Sequence, residues 1–148
     1  MAKFIFRLQG IFNTKQKIED LKKQEFGLAA AEVEREKQKK QELLNKKEET
    51  IIEFRHRIDE ILNSPGHENY NNYIEYLKKE VVRQDKVILE AEIKLEQKRN
   101  ELVDAMKERK TLEKLRERQY EEFMLEQKLV EQRVVDEVVS FRIPVKGG

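Results

Sequence analysis

The sequence predicts an all-α protein in which two long helices form an antiparallel coiled-coil hairpin with an overhanging C-terminal helix. Three observations favour this fold. Charged residues make up 41% of the 148 residues and nearly cancel, to a net charge of +1, as in a long solvent-exposed helix. Only 5 glycines and 2 prolines are present, so few chain reversals are encoded. Apolar residues also recur at alternating spacings of three and four, which is the coiled-coil repeat.

The first helix is expected over about residues 8–62, a stretch without proline. Its later part has a seam at coiled-coil spacing: Leu44, Lys47, Ile51, Phe54, Ile58 and Ile61. Its earlier part has an apolar stripe in a shifted frame: Leu8, Ile11, Ile18, Leu21 and Leu28. Between the two, Lys37 and Lys40 stand where the seam favours apolar side chains, which predicts a weak middle section.

One chain reversal is predicted, at about residues 63–69, where asparagine, serine, proline and glycine cluster. Ser64 followed by Pro65 is typical of a helix start, with Ser64 as the cap. A single short reversal between two long helices makes them antiparallel neighbours. The whole chain, residues 1–148, is therefore expected to be one coiled-coil domain.

The position of the reversal sets the register between the helices. If it is centred near Gly66, residue i of the first helix faces roughly residue 133 − i of the second. Phe54 would then lie opposite Lys79 and close to Tyr76. Phe4 would lie opposite Leu129.

The second helix is expected over about residues 70–142, with Pro144 and the final glycines ending it. Nine of twelve positions on its seam are apolar: Ile74, Leu77, Val81, Gln84, Ile88, Ala91, Leu95, Lys98, Leu102, Ala105, Arg109 and Leu112. Residues beyond about Val130 are expected to extend past the end of the first helix and to have no partner on it. They carry Val134, Val135, Val138, Val139 and Phe141, an exposed apolar stripe that indicates a binding surface.

Composition argues against an enzyme, a metal site or a cofactor site. The chain has no cysteine, and no glycine-rich phosphate loop is present. His56 with Asp59 or Glu60 gives two ligands, fewer than a specific zinc site needs. The near-zero net charge disfavours nucleic-acid binding. No apolar run is long enough for a membrane span, so we expect a soluble intracellular protein.

Two surfaces have alternative interpretations. The first eighteen residues combine apolar side chains with four cations and no acid, so they could rest on a membrane surface or pack against the overhanging end of the second helix. We favour packing. Tyr70, Tyr73 and Tyr76 follow at helical spacing after the turn, with Phe54 expected nearby. These aromatic residues could close the end of the hairpin or act as binding anchors.

Four segments carry a family resemblance. They are Phe4-x-Phe6-x-Leu8-x-x-Ile11, Glu53-Phe54-Arg55, Asn72-Tyr73-x-x-Tyr76-Leu77 and Glu131-Gln132-Arg133-x-x-Asp136-Glu137. Together they resemble FliJ, the small coiled-coil component of the bacterial flagellar type III export apparatus. The chain departs from the family pattern at Thr50, Glu80, Arg83 and Val87.

The resemblance implies a function. Members of the family are similar in design to the γ subunit of rotary ATP synthases, and their paired termini enter the pore of a hexameric export ATPase. The resemblance implies that Gln132, Asp136 and Glu137 contact the ATPase. In members of the family, the hairpin end reaches toward the membrane export gate. The resemblance therefore implies that Phe54, Tyr73 and Tyr76 contact the gate.

The family also binds substrate-specific export chaperones and promotes assembly and activity of the ATPase. The resemblance therefore implies a cytoplasmic protein, monomeric on its own and peripherally associated with the inner-membrane export apparatus. A generic coiled-coil scaffold and an injectisome stalk protein remain alternatives.

Overall fold

The computed structural model describes residues 2–63 and 65–146, and these residues form three α-helices and no strand. Helix α1 spans Gln9–His56, α2 spans Ile58–Leu62 and α3 spans Gly66–Lys146. The all-α prediction is confirmed. The chain divides into two compact units. The terminal unit comprises Met1–Asp20 and Asp104–Gly148, and the central unit comprises Leu21–Val103.

The first predicted helix is interrupted at Arg57. The Arg57 N–H is shared between the carbonyls of Glu53, at 3.1 Å, and Phe54, at 3.2 Å. Its guanidinium pairs with the carboxylates of Glu60 and Glu53, on either side of the break. These hydrogen bonds raise the pKa of Arg57, with Glu60 the larger cause. The ion pairs join α2 to the end of α1.

Helix α3 is longer at both ends than the sequence predicts. It begins at Gly66, directly after Pro65, where the missing N–H of proline costs no helical hydrogen bond. The predicted cap, Ser64, lies outside the described residues. Pro144 does not end α3, which continues to Lys146. Pro144 removes the helical hydrogen bond to the carbonyl of Ser140, and its ring crowds that carbonyl. Ser140 is exposed and lies within about two turns of the end of α3, where the last carbonyls have no helical donor in any case.

In the central unit, α1 and α3 run antiparallel. Lys40 Nζ lies 2.7 Å from Asp85 Oδ1, and Lys94 Nζ lies 3.3 Å from Glu32 Oε2. Partner numbers on α3 therefore rise as those on α1 fall. The core between the two helices includes Ala29, Val33, Leu77 and Ala91, all buried.

The predicted register is wrong by about two helical turns, since residue i lies near residue 125 − i rather than 133 − i. Phe54 stacks on Tyr70 instead of lying opposite Lys79. In the terminal unit, Phe4 contacts Tyr120 rather than Leu129. The cause is the earlier reversal: the chain leaves α1 at residue 57, and α3 is already helical at residue 66.

The predicted seam of the second helix is confirmed, since all twelve positions are buried or partly buried. The predicted early stripe of the first helix is wrong at three of its five positions, because Ile11, Leu21 and Leu28 are at least half exposed. The other two, Leu8 and Ile18, are partly buried. The inward positions instead follow another frame: Phe12, Lys15, Glu19, Lys22, Phe26, Ala29 and Val33. In this frame Glu19 supplies a carboxylate to the polar seam position Arg109 on α3, which a stripe of leucines could not do.

The three polar seam positions of α3 are all satisfied. Gln84 Nε2 donates to Glu36 Oε2 at 2.6 Å, and this hydrogen bond lowers the pKa of Glu36. Arg109 pairs with the buried carboxylate of Glu19 and with Glu113. Lys98 belongs to a four-charge cluster, described next.

The four-charge cluster alternates in sign along both helices of the central unit. Lys22 Nζ lies 3.2 Å from Glu25 Oε2 and 3.4 Å from Glu101 Oε2, and Lys98 reaches the same two carboxylates. Hydrogen bonds to Glu25 and then Glu101 raise the pKa of Lys22. Burial opposes the charged form of Glu101, but hydrogen bonds from the two lysines outweigh it and lower the pKa of Glu101.

Candidate functional site

An aromatic cluster joins the end of α1 to the start of α3. The rings of Phe54 and Tyr70 stack with centroids 4.0 Å apart and planes 17° apart. The His67 ring meets Phe54 edge-on at 6.1 Å, and its Nδ1 lies 3.3 Å from Asn71 Nδ2. Burial raises the pKa of Tyr70. Phe54 therefore packs within the protein, where it closes this end of the helix pair.

A second aromatic pair lies one turn further along α3. Tyr73 and Tyr76 stack on one another at 6.3 Å, and their side chains are 41% and 55% exposed. The predicted contact between Phe54 and Tyr76 is wrong, because the Phe54 ring stacks on Tyr70 instead. The structure thus brings together two of the three predicted gate residues, and these two are the accessible ones.

The N-terminal aromatic residues pack on α3 within the terminal unit. Phe4 meets Tyr120 edge-on at 5.3 Å and Phe123 at 5.5 Å. Phe6 and Phe12 are buried, and the Arg116 guanidinium lies 5.9 Å from the centre of the Phe12 ring. The segment therefore packs on α3, as the favoured interpretation has it, and this withdraws the rings from solvent. The place differs from the prediction, because the contacts lie at Arg116–Phe123 and the overhanging C-terminal end stays exposed.

The C-terminal part of α3 carries a broad exposed apolar face. Every residue from 128 to 142, a stretch called the overhang below, is exposed. Its large apolar side chains are Leu129, Val130, Val134, Val135, Val138, Val139 and Phe141. Successive residues of a helix point about 100° apart, so the two adjacent valine pairs cover close to half of the circumference. An amphipathic surface helix shows a narrower stripe.

The three predicted ATPase residues lie at the edges of this apolar face. Gln132 Nε2 donates to Asp136 Oδ1 at 3.2 Å, so the structure brings these two together. By helical geometry they lie next to Val139 on one edge. Glu137 lies on the other edge, where it lines a shallow depression with Phe141. Polar groups around an apolar centre are the usual arrangement of a protein interface.

Sequence reasoning missed two features of this region. Leu125 is 61% exposed, so the exposed apolar surface begins before the predicted limit at Val130. The register error hid this, because Phe4 lies opposite Tyr120 and leaves more of α3 uncovered. The breadth of the apolar face could have been found from the adjacent valine pairs alone.

The described residues contain no group of three or more histidine or acidic side chains placed to hold a metal ion. Among residues 2–63 and 65–146, no helix contains a stretch both long and apolar enough to cross a bilayer.

Comparison with known proteins gives one match. The family model described as flagellar FliJ protein matches residues 4–148, nearly the whole chain. No curated protein and no solved structure matches the chain.

Proposed function

This chain belongs to the FliJ family of flagellar proteins, and we propose that it acts in the bacterial flagellar type III export apparatus as a non-enzymatic stalk. Membership makes it a flagellar export-related protein. In the proposal, its helices form an antiparallel coiled-coil hairpin that binds the hexameric export ATPase and promotes its assembly and activity. The same protein links the ATPase to the membrane export gate and to export chaperones.

The overhang is the observation that carries this proposal. Seven large apolar side chains of residues 128–142 are exposed and spread over a broad face of α3. A face this wide suits a site that surrounds the helix on several sides, such as the pore of a ring, better than a single flat contact. Leaving it in water would favour aggregation, so a partner that covers it is expected.

The polar residues of the overhang would set the orientation of the helix in the ring. Gln132 and Asp136 are joined by a hydrogen bond, which holds both side chains at one edge of the apolar face. Glu137 marks the opposite edge. Donors and acceptors at the rim of an apolar contact add specificity more than affinity. All three residues remain proposed ATPase contacts.

The gate contact is proposed for Tyr73 and Tyr76, with Phe54 in support. The two tyrosines are exposed and stacked, which presents a rigid aromatic surface at little entropic cost. Phe54 would act indirectly, because its stack on Tyr70 fixes the start of α3. The protein would then work from the cytoplasm, at the surface of the membrane-embedded apparatus.

Hydrolysis by the cognate flagellar export ATPase, titrated with this protein, tests the proposal. We expect stimulation that saturates near one copy per ATPase hexamer, because a pore admits a single helix pair. Leu28→Asp serves as a control, since Leu28 is exposed in the central unit and outside the overhang. No effect of the unaltered protein on hydrolysis or ring assembly would contradict the stalk function.

A generic coiled-coil scaffold is the main alternative, and it predicts a stable homodimer. Sedimentation at low concentration separates the two, because the stalk is expected to be a monomer on its own. A third possibility, an injectisome stalk, predicts stimulation of the injectisome ATPase and none of the flagellar enzyme.

A further inference from the structure

We propose that the outward side of α3 in the central unit is a separate docking surface for an amphipathic helix with acidic side chains. Five exposed residues form this outer stripe, at successive spacings of three, four, three and four: Lys79, Val82, Lys86, Leu89 and Ile93. The proposal goes beyond the stalk function, since none of these residues belongs to the ATPase or gate surfaces described above.

The apolar part of the outer stripe faces away from α1. Val82, Leu89 and Ile93 are 58%, 57% and 61% exposed, whereas Ala91, between the last two, is buried. Their spacing repeats the pattern with which one coiled-coil helix receives another. Three large apolar residues in one such row are therefore suited to a third helix laid along α3.

The charged part of the stripe identifies the kind of helix. Within the part of the chain that the structure describes, Lys79 and Lys86 have no hydrogen bond and no ion pair. Nearby cations differ, since Lys78 pairs with Glu75 and Arg83 pairs with Glu80. Two unpaired ammonium groups alternate with the apolar residues. They would attract a helix that carries carboxylates beside its apolar row and repel a basic one.

The outer stripe is distinct from the aromatic pair at the start of α3. Tyr73 precedes Val82 by about two and a half helical turns, so the two side chains point to opposite sides. A helix bound along the stripe would leave Tyr73 accessible. The protein could then hold a partner on the stripe while the aromatic pair is engaged.

Two designed peptides test this inference. Both carry leucine at three–four spacing, and one has glutamate and the other lysine at the flanking positions. Each is labelled and titrated with the full-length protein in fluorescence anisotropy measurements. We expect the acidic peptide to bind, with an affinity that falls as salt is added, and the basic peptide not to bind.

Variants then locate the site. Replacing both Leu89→Ser and Ile93→Ser should weaken the acidic peptide by about tenfold or more, because the apolar centre is lost. Leu28→Ser is the matched control, since Leu28 is 72% exposed on α1. Reversing the two lysines, Lys79→Glu with Lys86→Glu, should switch the preference to the basic peptide. Circular dichroism checks that every variant remains helical.

Equal binding of both peptides would overturn the proposal, as would unchanged affinity in the Leu89 and Ile93 double variant. A loss of binding caused instead by Val134→Ser would assign the peptide to the overhang, and the proposal would fail. None of these outcomes bears on ATPase stimulation, so failure here is distinguishable from failure of the stalk function.

Discussion

The guanidinium of Arg109 is paired with the carboxylate of Glu19, a residue 90 positions earlier, inside the helix seam of the terminal unit. Glu19 is only 4% exposed, which is unusual for a carboxylate. Its burial is tolerated because the opposite charge and the hydrogen bond replace its lost hydration. A charged pair at seam positions also disfavours other alignments, which would bury one charge alone.

Removing one partner of this pair should destabilise the protein. Arg109→Met removes the guanidinium that pairs with the buried Glu19 carboxylate, and we expect a loss of about 2–4 kcal/mol in the free energy of unfolding. Chemical denaturation followed by circular dichroism measures it. Lys15→Met provides the control, because Lys15 pairs with Glu108 in a more exposed position, where about 0–1 kcal/mol is expected. Equal losses in the two variants would contradict the special role of the buried pair.

Acid should weaken the central unit. The pKa values of Glu36 and Glu101 are lowered in the folded state by hydrogen bonds that their charged forms accept. These groups therefore add stability above the unfolded carboxyl pKa of about 4.3, and this stability is lost as the pH falls through their folded values. We expect the thermal midpoint to drop between about pH 5 and pH 3.

The acid effect can be assigned with two variants and a control. Glu36→Gln combined with Glu101→Gln should reduce the change in thermal midpoint over this pH range, because the titrating groups are gone. Glu126→Gln, which removes an exposed carboxylate of α3, should leave the change intact. If the double variant and the unaltered protein show the same pH dependence of the thermal midpoint, the acid effect belongs to other groups.

The seam of α3 could be predicted from the sequence, whereas the inward frame of α1 could not. On α3, apolar residues hold nine of twelve seam positions, so hydrophobic periodicity decides the frame. On α1, Leu21 and Leu28 of the predicted stripe are exposed, whereas Glu19 is buried. Hydrophobic periodicity cannot place Glu19 on the inward side of α1, because the burial of its carboxylate depends on Arg109, which is distant in sequence.

The candidate sites were predictable in kind and less so in detail. An exposed apolar C-terminal helix follows from any hairpin whose reversal lies before the middle of the chain. The separation of Phe54 from Tyr76 depends instead on the register between α1 and α3. When the predicted centre of the reversal is wrong by one residue, the predicted partner of each α1 residue is wrong by two residues. A break at Arg57 has no strong local signal, since neither proline nor glycine is present there.

Tyr76→Ala and Phe54→Ala should have different effects on gate binding. Tyr76 is 55% exposed, so its removal should weaken binding to the cytoplasmic part of the export gate by about tenfold without lowering stability. Phe54→Ala removes the stack on Tyr70 and should cost about 1–2 kcal/mol in the free energy of unfolding. Isothermal titration and thermal unfolding measure the two quantities. Unchanged gate affinity in Tyr76→Ala would remove that residue from the site.

Charge placed on the overhang should abolish ATPase stimulation without affecting the fold. Val134 and Val138 are 54% and 48% exposed and belong to the broad apolar face, so Val134→Asp with Val138→Asp disturbs no described core residue. The concentration for half-maximal stimulation should rise by about tenfold or more, because two carboxylates would be buried in the contact. The thermal midpoint should stay within about 2 °C of the unaltered protein. Leu28→Asp, which changes a leucine of the central unit that is 72% exposed, should stimulate normally. If the overhang variant also stimulates normally, the ATPase must bind elsewhere on the chain, and the exposed valines would need a different partner.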